Sequence, residues 1–294
     1  MKLNERGRLM NVEKLDLAGG GVPQAMGQER IGFSLQQINA VDDPAKVLYS
    51  ECLGRFTESD GTIRTSEELS AMPEISGVGP AFDRYLLQLA LGWLARRPSC
   101  ALGCNIQASD LVDKHSSGTL YELLFKHRAV ARRMILELAG SVALTAHSAA
   151  MLQSARTLGY RIAIEAFGTE QAIAGTLLPF PVDIVKVDAS LLRHGRGDAA
   201  SMLRHIVART SRSASIVVIE GIETYAQLEA ARTAGATHVQ GPLLSEPTLP
   251  PIYSEPFRPL VQRGNPLAHR LENRNRFSQS PMRSFKEPLR PLRV

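Results

Sequence analysis

Cysteine is scarce in this chain: Cys52, Cys100 and Cys104 are the three present in 294 residues. That is too few for a disulfide framework and suits a reducing cytoplasm. Cys100 and Cys104 are four apart on a predicted strand, which puts them on one face but more than about 10 Å apart. They cannot share a zinc ion and read as buried thiols. Long apolar runs are also missing. No stretch reaches the roughly 18–20 residues that span a bilayer. The longest candidate, Tyr85 to Ala95, is broken by Gln88 and flanked by Arg84, Arg96 and Arg97, so it reads as a buried helix. The first residues, MKLNERGRLMNVEKLDLAGGG, hold no apolar core, which predicts no secretory signal and a cytoplasmic protein. The histidines show no HExxH or HxH spacing, and Gly19 to Gly21 lack the Lys-Ser/Thr of a phosphate loop. No zinc site and no phosphate loop follow from them.

The basic balance is confined to one end. From Ser254 onward, nine Arg or Lys face Glu255, Glu272 and Glu287, a net of +6 within a total of +5. The other 253 residues are therefore close to neutral, which argues against a nucleic-acid-binding core. The same tail holds six prolines and little apolar periodicity, so composition predicts a disordered segment over 254–294. It is either a solvated tail or a contact for an acidic partner, anionic lipid or nucleic acid. Residues 1–29 are polar and glycine-rich and read as a mobile leader. Between them, 30–253 reads as one domain.

What is abundant is a rhythm. Seven short apolar runs each end on a polar residue: VLYSE at Glu51, ALGCN at Asn105, MILE at Glu137, RIAIE at Glu165, DIVK at Lys186, IVVIE at Glu220 and HVQ at Gln240. Runs rich in Val, Ile and Leu, separated by helix-like stretches, suit strands buried on both faces of a parallel sheet. The fold class this implies is α/β, a modified TIM-type β/α barrel. Its first strand, from Ile31, is antiparallel, because the turn at Asp42-Asp43-Pro44 is short enough to make a hairpin with the next. In a closed barrel the chemistry sits where parallel strands end. Singly, a glutamate there is a solvated cap, Lys186 a surface charge and Gln240 a loop hydrogen-bonder. Together they collect one charge sign around one lysine.

In this order the motifs resemble the EAL-domain family, phosphodiesterases that open cyclic di-GMP. The resemblance covers roughly residues 31 to 250. Glu51-Cys52-Leu53 stands for Glu-Ala-Leu, with Arg55 following. Asn105-Ile106-Gln107-Ala108 is similar to Asn-Leu-Ser-Ala, and Ile135-Leu136-Glu137 to the family's strand with a metal-binding glutamate. Then come Glu165-Ala166-Phe167-Gly168-Thr169-Glu170, Val182 to Asp188, Glu220-Gly221-Ile222-Glu223-Thr224 and Gln240-Gly241-Pro242-Leu243-Leu244-Ser245. Glutamates at 51, 137, 165, 220 and 223 balanced by Lys186 alone would repel one another, and hard divalent cations with oxygen ligands relieve this. The resemblance implies Mg²⁺ or Mn²⁺ held by Glu51, Asn105, Glu137 and Glu165. It implies Lys186 and Glu220 orienting or activating water, and Arg55 and Gln240 facing the nucleotide. Glu223 and Asp188 either stand behind these groups or support a neighbouring loop. A homodimer is a further implication, with no interface visible in the sequence.

The pattern breaks inside the site. The family's paired aspartates are Glu165 and Ala166, a glutamate three after the metal-binding one is Gly140, and the Gly-Tyr-Ser-Ser loop is Glu170-Gln171-Ala172-Ile173. Two divalent charges 4 Å apart repel by about 17 kcal/mol at an effective dielectric of 20. Bridging carboxylates are needed to hold them, and alanine at 166 removes one. The expectation is one metal site and loss of the second. The sequence therefore favours a catalytically impaired module that binds cyclic di-GMP. An active metal-dependent phosphodiesterase is the alternative, and a protein-interaction scaffold without nucleotide the third reading.

Overall fold

The computed structural model describes residues 30–58, 60–66, 68, 79–139, 145–166, 182–190, 199–249 and 251–253, all within the compact unit Met1–Ser254. Residues 1–29 and 254–294, together with Gly140 and the segment 167–173, lie outside the described residues. No described helix is long and apolar enough to cross a membrane.

Eight strands close a barrel. Strand β1 (Arg30–Ala40) and β2 (Val47–Thr57) form a long antiparallel hairpin. Its turn is fastened by Ala40 N–H donating to the Lys46 carbonyl and Asn39 Nδ2 to the Pro44 carbonyl. A short β3 (Ile63–Thr65) lies outside the barrel against β2. Parallel order then runs from β2 through β4 (Leu102–Asn105), β5 (Met134–Ala139), β6 (Arg161–Ala166), β7 (Ile184–Asp188) and β8 (Ile216–Glu220) to β9 (His238–Gln240). Strand β1 pairs antiparallel with β9 and shuts the ring, and β10 (Ile252–Tyr253) adds to its outer edge. The antiparallel first strand expected from the Asp42-Asp43-Pro44 turn is present.

Helices α1 (Gly79–Ala95), α2 (Ala108–Val112), α3 (Lys114–Lys126), α4 (Ala146–Thr157), α5 (Ala199–Thr210) and α6 (Tyr225–Thr233) alternate with the parallel strands. Their starts carry side-chain caps where the sequence allows. Asp113 accepts from Ser116 N–H, Thr145 from Ser148 N–H, and Thr224 forms a reciprocal box with Gln227.

Alternation along each strand sorts the residues. In β7, Val185 and Val187 face the helices, while Ile184, Lys186 and Asp188 share the other side. The barrel interior has two tiers. The lower is an apolar plug of Ile38, Tyr49, Ile135, Ala163, Ile184 and Val218, each buried. An eight-stranded barrel is just wide enough for side chains to fill it, so the plug excludes water from below. The upper tier is polar.

Strand β2 runs on past Glu51 to Thr57, β5 past Glu137 to Ala139, β6 past Glu165 to Ala166 and β7 past Lys186 to Asp188. Asn105, Glu220 and Gln240 do close their strands. Strands in a barrel are tilted and staggered, so inward residues share a level without sharing a position along their strands. The polar tier therefore lies inside the barrel, below the rim.

Candidate functional site

Lys186 is the hub. It is fully buried, and its Nζ stands 2.9 Å from Glu51 Oε2, 2.5 Å from Glu137 Oε2, 2.7 Å from Glu220 Oε1 and 3.7 Å from Glu165 Oε1. Four carboxylates from β2, β5, β6 and β8 thus surround one ammonium. Burial alone would lower the lysine pKa, but Glu137, Glu220 and Glu51 hold it well above its ordinary value.

The carboxylates differ because their surroundings differ. Burial pushes the Glu137 carboxyl up to about 8 against the pull of Lys186, with Glu51 and Glu165 adding repulsion. Burial likewise lifts Glu220 to about 7, again against Lys186. Glu51 goes the other way. Its burial is outweighed by the Lys186 charge and by hydrogen bonds from Gln240, Lys186 and Asn105, so its pKa is lowered. Gln240 Nε2 donates to Glu51 Oε2 at 2.8 Å and to Gln36 Oε1 at 3.1 Å. Asn105 Nδ2 donates to Glu51 Oε1 at 3.3 Å, which leaves its Oδ1 as a neutral oxygen donor.

Glycine 103 makes room for this. A Cβ there would collide with Glu137 Oε1 and the Tyr49 ring, so only glycine lets the Glu137 carboxylate lie across β4. At the other side, Gly241 lies against the Ile222 backbone, where a Cβ would clash. Ile222 N–H donates to the Gln240 carbonyl and Leu243 N–H to the Ile222 carbonyl. That close approach fixes Gln240 beside the end of β8, where Glu220 sits.

The donor set suits a hard divalent cation. Glu51, Glu137 and Glu165 each offer an oxygen within 4.8 Å of the others, a spread compatible with cation–oxygen bonds of about 2.0–2.6 Å. Glu137 Oε1 and Gln240 Oε1 are buried with no hydrogen-bond partner. A buried carboxylate oxygen left unpaired is costly, and a cation would complete it.

Of the ten residues singled out from the sequence, seven meet here: Glu51, Asn105, Glu137, Glu165, Lys186, Glu220 and Gln240. Three stand apart from the lysine. Arg55 Nη1 donates to the Gly54 carbonyl, and four residues of strand put it about 13 Å further along β2 than Glu51. Asp188 Oδ1 accepts from Ser190 N–H at 2.7 Å in the turn after β7. Glu223 is exposed, and its N–H donates to Gln227 Oε1 at the start of α6. Sequence reasoning missed Gln36, which holds Gln240, and Tyr49, whose buried hydroxyl is unpartnered beneath Glu137. Their alternation with Ile38 and Glu51 along β1 and β2 was the available signal.

A closed β/α barrel with an acidic cluster around a buried lysine, near the carboxyl ends of its parallel strands, has the layout of a barrel protein with a carboxyl-terminal-face site. The chain belongs to the EAL domain family, whose pattern it matches over residues 22–247. It is 28 % identical over 236 residues to a cyclic di-GMP phosphodiesterase of Pseudomonas aeruginosa, covering 77 % of this chain and 40 % of that protein. To the probable cyclic di-GMP phosphodiesterase PdeA of Escherichia coli K12 it is 27 % identical over 207 residues, 68 % of this chain and 28 % of that protein. The chain thus spans well under half the length of these relatives. Among solved structures, the FimX EAL domain of Pseudomonas aeruginosa bound to c-di-GMP superposes with a TM-score of 0.64 at 20 % identity, covering 74 % of this chain and 91 % of that one. The manganese and cyclic di-GMP complex of Klebsiella pneumoniae BlrP1 gives 0.58 at 25 % identity, covering 76 % and 57 %. These likenesses establish the fold.

Proposed function

We propose that this barrel takes cyclic di-GMP at its acidic mouth with one divalent cation, Mg²⁺ or Mn²⁺, and hydrolyses it slowly or not at all. It then serves as a binding or regulatory module of cyclic di-GMP signalling. The observation that carries this reading is the contrast within the upper tier. Four carboxylates and Asn105 surround one lysine, with Glu137 Oε1 unpartnered, while the residue after Glu165 is an alanine with no oxygen to give. In this reading Glu51, Asn105, Glu137 and Glu165 hold the cation, which when bound polarises the phosphodiester and the attacking water.

The chain's own groups do the rest. Lys186 keeps Glu51, Glu137 and Glu220 at fixed positions and neutralises part of their charge. Glu220, with a pKa near 7, is suited to accept a proton from water at neutral pH. Arg55, further out on β2, meets a phosphate or base edge in this reading. The Gln240 amide nitrogen is committed to Glu51 and Gln36, so it acts on the nucleotide through Glu51, while its Oε1 has no hydrogen-bond partner. Asp188 and Glu223 support the turns that follow β7 and β8.

Two features favour weak turnover. In-line hydrolysis by paired metals needs them about 3.5–4 Å apart with a carboxylate between, and alanine at 166 cannot bridge. Glu165 is also longer than aspartate by one carbon–carbon bond, about 1.5 Å, and a 1 Å misplacement can cost on the order of a hundredfold in rate. The convergence of six of the polar residues on Lys186 or its partner Glu51 supports the active enzyme as the second reading.

Chromatography for the linear dinucleotide after incubation with cyclic di-GMP and Mn²⁺ tests the assignment. The expected result is nucleotide binding in Ca²⁺ with little or no product in Mn²⁺. Sustained turnover that disappears in Glu51→Ala would establish the active enzyme. Absence of binding in Ca²⁺ would leave a barrel that works as an interaction scaffold.

A further inference from the structure

Two of the three cysteines lie side by side on the outer wall of the barrel. In the parallel pairing of β2 and β4, Ser50 stands beside Leu102 and Glu51 beside Gly103, where the ladder ends; Cys52 and Cys104 are the residues that follow this last pair on the two strands, close enough that Cys104 acts electrostatically on Cys52. Glu51 and Gly103 face inward, where Gly103 meets Glu137, so both cysteines face outward. Both are free and buried in the layer between the strands and α1, and burial, with the nearby Glu137 and Glu51 charges, holds both thiols well above the usual cysteine pKa, so neither reacts while the seam is closed. Parallel neighbours have Cα atoms about 4.8 Å apart, inside the 4.4–6.8 Å range that a disulfide accepts.

We propose that Cys52 and Cys104 form a redox-active dithiol that a hydroperoxide converts to a disulfide, stapling the seam between β2 and β4. The chemistry balances. One cysteine sulfur attacks the peroxide O–O bond and becomes a sulfenic acid, releasing water (or an alcohol from an organic peroxide). The second sulfur attacks the first, the S–S bond forms and a second water leaves. Two electrons pass from the thiols to the peroxide, and the two thiol protons end in the released products.

The position of the pair gives it consequence. Cys52 directly follows Glu51, and Cys104 directly precedes Asn105, the two residues joined by the 3.3 Å hydrogen bond across the interior. The seam is short, with two register pairs against four between β4 and β5 and five between β5 and β6. This seam joins the antiparallel hairpin to the parallel strands, and its opening is the step that exposes the thiols. With the seam closed the thiols are shielded; on opening a peroxide reaches them, and the disulfide then holds the seam shut. Cys100 is partly exposed and lies four residues before Cys104 on the chain. The inference is independent of what the acidic site binds.

The full-length chain carrying Cys100→Ser is treated with hydrogen peroxide, quenched by alkylation and mapped by mass spectrometry without reduction. The expected result is an intramolecular Cys52–Cys104 link, removed by dithiothreitol, with a melting temperature about 5–10 °C above the reduced form. Neither change appears in the Cys52→Ala variant in the same background. Because that variant changes a buried position, the wild-type chain supplies a second readout: its link must join Cys52 to Cys104 and not Cys100 to either. Only sulfinic acids, only intermolecular links, a link through Cys100, or a link without a thermal shift would each overturn the proposal.

Discussion

A fully buried lysine with three carboxylate oxygens within 3 Å is the least replaceable part of the site. Removing one partner of a buried charge network costs about 3–5 kcal/mol because the others are left unpaired. Lys186→Met should therefore lose stability of that order in urea unfolding with chelator present, and excess Mn²⁺ should restore part of it. An unchanged unfolding midpoint would contradict the account. The carboxyls also give a pH signature. Glu137 and Glu220 have folded pKa values of about 8 and about 7 against an ordinary 4.5. Between those limits the folded state binds more protons than the unfolded state, so stability of the metal-free protein falls as pH rises. Melting in chelator should be lower at pH 8.5 than at pH 5.5, and Mn²⁺ should narrow the gap, since cation binding requires the ionised carboxylates. A flat profile would show that these groups are solvated. Lys186 itself was legible as the one cation among strand glutamates. Its depth was not, because burial depends on the tilt of neighbouring strands.

Strands explain why some residues were readable and others were hidden. Glu51, Asn105, Glu137, Glu165, Lys186, Glu220 and Gln240 each follow an apolar run, and that contrast survives without a structure. Gln36 lies on the antiparallel strand among other polar residues, and Tyr49 inside an apolar run, so only their alternation with Ile38 and Glu51 marks them. Their inward direction comes from the β1–β2 pairing that sets Gln36 beside Glu51. Glycine 103 reads as a weak spot in a strand, and only the position of Glu137 explains it. Gly103→Ala should push Glu137 and Tyr49 aside and weaken Mn²⁺ affinity at least tenfold in calorimetry, while the protein still folds. Unchanged affinity would separate Glu137 from cation binding. Helix starts were readable from their caps, and Thr224→Ala should cost about 1 kcal/mol in chemical unfolding. A loss limited to stability, with cation affinity intact, is expected because Thr224 fastens α6 and touches none of the carboxylates.

The whole barrel works as a plugged cup. Its apolar lower tier keeps the acidic tier dry from one side, which strengthens every charge interaction above it and lifts the two buried carboxyls towards neutral pH. Fold class and the antiparallel opening strand were legible because run lengths, turn residues and helix periods agree with one another. Whether the cup turns its nucleotide over depends on how many cations it holds, since the departures at Glu165 and Ala166 touch the bridge between two. Electron paramagnetic resonance of Mn²⁺ titrated into the protein with cyclic di-GMP counts them directly. The account predicts one bound Mn²⁺ per chain with the spectrum of an isolated ion, and none in Glu137→Gln. Two ions per chain with an exchange-coupled spectrum, or no bound ion in the unaltered protein, would contradict it.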